Sequence, residues 1–189
     1  MNLGTKNCKD ALYDLENCPN FKYTIKGDRE KHGVKGDLLT GNYKLDKSSG
    51  RWVSKGVSLM PSDLSGIPKV DLCPFATREC RAACIGVTSG RNHTPIAKNA
   101  KIAKTRWLVK NPKTFIAQLI IETDKLQLKC LRDGLLPSVR LNVYSDIVWE
   151  RVAPELFLRF PDVQFYDYTK ISHRWQELPE NYHLTFSYS

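Results

Sequence analysis

The chain has 189 residues, of which 41% are hydrophobic and 26% are charged, and these values predict a single soluble domain with a sizeable core. No apolar run is long enough to cross a bilayer, and the first residues lack the apolar segment of a signal peptide, so we expect a cytoplasmic protein. The formal net charge is +9 and it is unevenly distributed, because residues 73–113 hold nine Lys or Arg and one acid.

Residues 1–70 are predicted to form an irregular N-terminal extension. The stretches GDREKHGVKGD (27–37) and LDKSSGRW (45–52) have the composition of turns and loops. Two short apolar pieces, LLTGNYKL (38–45) and RWVSKGVSLM (51–60), are candidate edge strands. The remainder, residues 71–189, is predicted to hold a cysteine loop and the β/α core of the same domain.

Two helices follow the cysteine loop. Thr94 is a candidate N-cap with Pro95 at the first helical position, and the Asn111-Pro112 pair ends this first helix. Its predicted apolar stripe includes Trp107, which we interpret as a core residue. A second helix is predicted over 113–132, with Phe115, Leu119, Leu126 and Cys130 among its buried side chains.

The C-terminal third alternates between strand and helix patterns. Strands are predicted at VRLNVYSD (139–146), VQFYDYTK (163–170) and YHLTFSYS (182–189), and a helix at DIVWERVAPELFLRF (146–160). Strand–helix–strand order is typical of a parallel sheet. The predicted fold class is therefore α/β, with a partial (βα) barrel-like parallel sheet.

The most specific motif is LCPFATRECRAACIG (72–86), which holds Cys73, Cys80 and Cys84. Reduced cytoplasmic thiols are better candidates for metal ligands than for disulfides. Zinc sites usually take four ligands in paired CxxC knuckles, whereas iron–sulfur clusters are held by thiolates. We therefore predict a [4Fe-4S] cluster with one open iron. Zinc and unliganded structural thiols are the alternatives, and a fourth ligand remains open among Cys8, Cys18 and Cys130.

Each predicted strand of the C-terminal third begins apolar and ends polar. Functional sites in parallel β/α folds lie at the carboxyl ends of the strands, so these polar residues are predicted to surround one site. The candidate catalytic residues are Asp146, Asp167 and Lys170, and the candidate binding residues are Asn142, Ser145 and Glu150. The structural alternatives are a helix cap for Asp146, a solvated Glu150 and an internal ion pair for Lys170.

The basic segment suggests an anionic partner. Lys98 and Lys101 are predicted to point away from the apolar stripe of the first helix, with Lys104 and Arg106 on its flanks. These four cations are a candidate surface for an anionic small molecule or a nucleic acid. A solvated face that only aids solubility is the alternative. A non-enzymatic nucleic-acid-binding protein with a structural or redox-sensing cluster is therefore a second hypothesis for function.

Several segments resemble the phage "gene product 88" family. In chain order they are LLTGNYKLDKSSGRWVSKGVSLMPSDLSG, LCPFATRECRAACIGVTSGR, KTRWLVKNPKTFIAQL, VRLNVYSDIVWE and FYDYTK. The resemblance implies a protein encoded by a bacteriophage or a bacterium, and hence the host cytoplasm. The order of parts also resembles a shortened radical-SAM enzyme, with an early cysteine triplet followed by β/α units. This second resemblance implies redox or radical chemistry and makes S-adenosylmethionine a candidate cofactor.

Overall fold

The structure, a computed structural model, describes residues 19–41, 45, 50–175 and 178–188. The helices and strands of these residues occur in the order α1 (Pro19–Lys31), β1 (Leu39–Thr40), β2 (Trp52–Val57), α2 (Arg78–Ala82), α3 (Ile85–Thr88), a 3-10 turn (Gly90–His93), α4 (Pro95–Lys110), α5 (Pro112–Asp133), β3 (Leu136–Arg140), α6 (Trp149–Val152), α7 (Pro154–Arg159), β4 (Gln164–Thr169) and β5 (Tyr182–Phe186).

The described strands form one sheet in the order β1-β2-β3-β4-β5. β1 is antiparallel to β2, and β2 to β5 are all parallel. Sequential parallel order with right-handed crossovers puts the connecting helices on one face of the sheet. The α/β class and the parallel sheet are therefore confirmed. Within the described residues the sheet is open, so a barrel is not shown.

Strand β2 is an internal strand, which corrects the prediction of an edge strand. It pairs with β1 on one side and with β3 on the other, from Trp52 opposite Leu136 to Gly56 opposite Arg140. A Cβ atom at Gly56 would lie 2.5 Å from Cγ2 of Val143, so the close approach requires glycine.

Part of the predicted N-terminal loop is helical. The predicted loop at 27–37 begins inside α1, which extends to Lys31. The helix has a weak apolar periodicity, although Ile25 is buried in the core. Two hydrogen bonds connect the following turn to α1, because the Arg29 guanidinium donates to the carbonyl oxygens of Val34 (3.2 Å) and Gly36 (2.7 Å).

Helices α4 and α5 follow the sequence prediction closely. The Thr94 hydroxyl accepts a hydrogen bond from the Ala97 amide at 3.3 Å, and α5 ends at Gly134 in the left-handed region. Trp107 and Phe115 are fully buried and meet edge-to-face in the core. The predicted helix over 146–160 is broken into α6 and α7, since Pro154 opens a new helix after Ala153.

The predicted basic surface on α4 is corrected by the burial of two of its four cations. Lys101 and Lys104 are only 4% and 6% exposed, whereas Arg106 is exposed and Lys98 is half-buried. The Lys104 ammonium donates to the carbonyl oxygens of Asp37 (2.6 Å) and Leu38 (3.2 Å), and burial lowers its pKa to about 8. The four side chains therefore do not form one continuous solvent-exposed face.

Candidate functional site: a cysteine-lined cavity at the strand ends

A cavity of about 340 Å³ lies at the carboxyl ends of β3, β4 and β5, within the size range of small-ligand sites. It is lined by Ser62, Cys73, Ala76, Cys80, Arg81, Ala83, Cys84, Ile85, Arg140, Asn142, Val143, Tyr144, Ser145, Asp146, Tyr168, Thr169, Lys170 and Ser187. Of the predicted site residues, Asn142, Ser145, Asp146 and Lys170 line this cavity. Asp167 and Glu150 do not line the cavity.

The three cysteines of the motif all line this cavity, opposite the strand ends. Cys73 lies closest to the strands, since its thiol donates to the Tyr144 carbonyl at 3.5 Å and accepts from the Ser62 amide at 3.4 Å. Ser62 has a φ of 52°, a strained conformation for a residue other than glycine. The loop before Cys73 is joined to the strand-end loop because the Asp146 amide donates to the Leu72 carbonyl.

Short helices position the other two cysteines. Thr77 caps α2 by accepting from the Cys80 amide at 3.1 Å, and Cys84 is the residue before α3. Arg81 holds the segment together, because its guanidinium binds the Asp71 carboxylate at 2.7 Å and the Cys73 carbonyl at 3.0 Å. The loop thus brings Cys73, Cys80 and Cys84 to the same cavity.

Burial controls the chemistry of these thiols. It raises the pKa of Cys73 to about 11 and also raises the pKa of Cys84. Both side chains are therefore neutral thiols near pH 7, which disfavours a role as free nucleophiles. Coordination to a metal deprotonates a thiol outright, so a bound metal would have to displace these protons.

Gly86 in α3 packs against the Tyr144 side chain beside this wall. A Cβ atom at position 86 would lie 2.8 Å from Cγ and 2.9 Å from Cβ of Tyr144. The Tyr144 hydroxyl accepts from the Asn92 amide group at 2.9 Å, so the ring is held at both ends.

We expect Gly86→Ala to lower the free energy of unfolding by about 1–3 kcal/mol, because overpacking must displace α3 or the Tyr144 ring. Chemical denaturation monitored by circular dichroism measures the change. Gly27→Ala is the matched control, since its Cβ atom would meet no atom within 4 Å, and we expect it to be neutral or slightly stabilising. Equal stability of the two variants would contradict the packing role of Gly86.

Asn142 organises the loop that follows β3. Its side-chain oxygen accepts from the Ser145 hydroxyl (2.8 Å), the Ile147 amide (2.9 Å) and the Trp149 indole (3.1 Å). Its amide group donates to the Ile147 carbonyl and to the Asp167 carboxylate. Asn142 therefore fixes the shape of the cavity floor through a fully bonded amide.

Asp167 lies beneath the cavity floor rather than in it. Its carboxylate accepts from the Asn142 amide (2.6 Å), the Asn142 side chain (3.2 Å) and the Tyr182 hydroxyl (2.8 Å). Burial raises the pKa of Asp167 to about 7, and these donors together with nearby arginines partly oppose the rise. Direct contact of Asp167 with a ligand is not supported by this position.

Arg174, which the sequence motifs did not identify, is the centre of the buried ion network. Its guanidinium forms two hydrogen bonds with the Glu150 carboxylate, at 2.7 and 2.6 Å, and one with Asp146 at 3.3 Å. It also donates to the Tyr182 hydroxyl at 3.0 Å. Glu150 is thus a structural partner of Arg174, and Asp146 is oriented from behind the cavity. No sequence pattern marks Arg174, which lies in a turn after β4.

The mouth of the cavity carries positive charge and an aromatic ring. The Arg140 guanidinium lies 4.7 Å from the Tyr168 ring centroid and donates to the Asn142 carbonyl at 3.2 Å. The Lys170 ammonium donates to the Ser187 carbonyl at 3.2 Å, and its amide donates to Asp146 at 2.9 Å. An anionic ligand would therefore meet two cations at this end.

The family model of Gene product 88 matches residues 26–189 of the chain. The chain belongs to the Gene product 88 family. No curated protein and no solved structure matched the chain. Membership confirms the phage family suggested by the motifs. The match to the Gene product 88 family does not show a radical-SAM-like organisation.

Within the described part of the chain, no group of three or more His, Cys, Asp or Glu side chains is gathered as a single metal ion requires. No helix among the described residues is long and apolar enough to span a bilayer. Cys130 is buried in α5 and does not line the cavity, whereas Cys8 and Cys18 lie outside the described residues.

Proposed function

We propose that this family member is an iron–sulfur protein whose [4Fe-4S] cluster is ligated by Cys73, Cys80 and Cys84. The observation that carries the proposal is that all three thiols line one cavity at the carboxyl ends of the parallel strands. Thiolates are the ligands that such clusters take, and functional sites of parallel β/α folds lie at these strand ends.

The arrangement of the thiols favours a cluster over zinc. A zinc ion needs its ligands around one point, with sulfur about 2.3 Å from the metal. A cluster spreads its ligands over several irons, so the thiols can line a wall without meeting. The described residues offer no group of three or more His, Cys, Asp or Glu side chains gathered around a single metal ion. Because burial raises the pKa of Cys73 and Cys84, zinc and a cluster alike would have to displace their protons on binding.

When bound, such a cluster supplies electron transfer and, with three cysteine ligands, one iron open to a second ligand. The residues across the cavity would then bind and orient that ligand. Asp146 is held by Arg174 and by the Lys170 amide, so its carboxylate is fixed for an ammonium or hydroxyl group. Arg140 and Lys170 supply charge for an anionic group. Asn142 and Ser145 keep the floor in shape.

A more specific version of this proposal is that the protein is a radical-SAM-like redox enzyme. S-adenosylmethionine is then the candidate second cofactor. This version is supported by the order of the cysteine loop and the β/α units, and by a carboxylate and two cations opposite the thiols. A zwitterionic cofactor carries both an ammonium and a carboxylate group, which these side chains complement in charge.

The test is anaerobic preparation of the protein, with iron, sulfide and zinc quantified and the visible and EPR spectra recorded. We expect about four irons and four sulfides per chain. Alanine at Cys73, Cys80 or Cys84 should reduce both to near zero, whereas Cys130→Ala should retain them because that thiol is buried in α5. Addition of S-adenosylmethionine should change the EPR spectrum of the reduced protein.

The outcomes separate the two levels of the proposal. Iron and sulfide without a response to S-adenosylmethionine would retain the cluster and reject the radical-SAM-like form. One zinc and no iron in anaerobically prepared protein would overturn the cluster itself. Loss of iron in Cys130→Ala to the same extent as in Cys73→Ala would reject the assigned ligand set.

A further inference from the structure

The sheet has a second face, opposite the helices, that leads to the mouth of the cavity. Strand alternation and register place on this face, hereafter the open face, the residues Thr40, Trp52, Ser54, Gly56, Leu136, Ser138, Arg140, Gln164, Tyr166, Tyr168, His183 and Thr185. The opposite residues of the same strands, such as Val139 and Phe165, are buried in the core with the helices. Parallel sheets are usually covered on both faces, so the exposed aromatic rings here require an explanation.

Aromatic rings run diagonally across the open face. Trp52, at the start of β2, is 41% exposed, and Tyr168, near the end of β4, is 46% exposed. Tyr166 lies between them and is half-buried. Because Ser54, Ser138 and Gln164 are in register, Trp52 and Tyr168 are six residues apart along the strand direction. This separation is about 20 Å, which is room for several nucleotides.

The charge of the open face is positive. Arg140 stacks against the Tyr168 ring, and Lys170, which directly follows β4, alternates to the same side as Tyr168. Among the described strand positions on this face there is no Asp or Glu. Ser54 and Ser138 are buried beneath the rings, and Gly56 packs against Leu45 and Val143. The accessible part of the face therefore includes Trp52, Arg140, Gln164, Tyr166, Tyr168, His183 and Thr185. Its polar and charged groups distinguish it from the contiguous apolar patch of a typical protein-docking site. The chain as a whole has a net charge of +9.

We propose that the open face binds single-stranded nucleic acid, with bases stacked on Trp52 and Tyr168 and the phosphates near Arg140 and Lys170. Aromatic rings on a positively charged surface bind single strands because each base has a face to stack, whatever its identity. A duplex keeps its base faces inside the stack, so the rings select single strands. Tyr168, Arg140 and Lys170 also line the cysteine cavity, whereas Trp52 lies at the other end of the sheet, so the effects of Trp52→Ala and Cys73→Ala separate this proposal from the cluster.

Fluorescence anisotropy with labelled oligothymidylate and oligouridylate, each of about 15 nucleotides, tests the proposal on the full chain. We expect binding that weakens steeply with salt, and weaker binding of a duplex of the same length. Trp52→Ala and Tyr168→Ala should each reduce affinity about 10-fold. The two oligonucleotides distinguish DNA from RNA as the source of the strand.

Two matched controls make the test specific. Tyr23→Ala removes an exposed ring from α1, and Arg106→Ala removes an exposed cation from α4; neither should change the affinity. Cys73→Ala should lose iron and retain binding, which separates this proposal from the cluster. Absence of binding, equal affinity for a duplex, unchanged affinity in Trp52→Ala, or loss of binding in Arg106→Ala would overturn the proposal.

Discussion

Replacing Arg174 by methionine is expected to lower the free energy of unfolding by about 3–5 kcal/mol. Methionine keeps much of the length and apolar volume of the side chain and removes its charge. The carboxylates of Glu150 and Asp146, both nearly buried, would then lose the cation that binds them. Removing one partner of a buried ion pair costs this much because the remaining charges stay desolvated. Urea unfolding at pH 7, monitored by circular dichroism, measures the change.

Two further variants separate the effect of the Arg174 charge on stability from the effect of its hydrogen-bond geometry. Arg174→Lys retains the charge and loses the two parallel hydrogen bonds to Glu150, so we expect an intermediate loss of stability. Adding Glu150→Gln to Arg174→Met should recover part of the loss, because one unpaired buried charge is removed. Arg132→Met is the control, since its ion pair with Asp133 is exposed and such pairs contribute at most about 1 kcal/mol. A loss below about 1 kcal/mol in Arg174→Met would contradict the network's role.

The location of the site could be predicted from the sequence because two short-range signals coincide there. The clustered cysteines and the polar residues at the strand ends are local patterns, and the rule for parallel sheets brings them to one edge. Asn142, Ser145, Asp146 and Lys170 line the cavity with Cys73, Cys80 and Cys84 as a result. The proposed roles of these residues remain to be tested by the experiments above.

The sequence could not show in the same way which polar residues line the cavity and which support those residues from behind. Asp167 and Asp146 follow similar strand patterns, yet only Asp146 lines the cavity. The difference comes from alternation within β4, which turns Asp167 toward the helices and Tyr168 toward the open face. Arg174 is 28 residues from Asp146 and lies in a turn, so only the assembled sheet brings it to the carboxylates.

The lysines of α4 show why a charge run is an unreliable guide to a surface. Their spacing predicted side chains directed to solvent, but the long apolar stem of lysine can be buried while its ammonium reaches backbone oxygens. Lys104 does this with Asp37 and Leu38, and Lys101 does it with Asn92. The segment that binds the Lys104 ammonium is distant in sequence, and the turn that binds Lys101 lies outside the helix, so helical periodicity carries no information about either.

The stability contributed by Asp167 is expected to decrease as the pH rises from about 4 to 7. In the unfolded chain this carboxyl group has its ordinary pKa of 3.8, whereas burial raises the folded value to about 7. Between these values the unfolded state has lost the proton that the folded state keeps, so rising pH favours unfolding. The full contribution is therefore present below pH 3.8, and a shift of this size corresponds to about 4 kcal/mol.

Asp167→Asn removes this titration and makes the effect measurable. The loss of stability caused by the substitution should be largest near pH 4 and should shrink by up to about 4 kcal/mol by pH 8. Urea unfolding across this range compares the variant with the native chain, and Asp162→Asn, the same change at an exposed position, controls for net charge. A loss that instead grows with pH would mean that Asn142 and Tyr182, which donate three hydrogen bonds to Asp167, outweigh burial and keep the carboxylate ionised. The floor of the cavity would then carry a fixed negative charge, which would weaken the case for an anionic ligand above it.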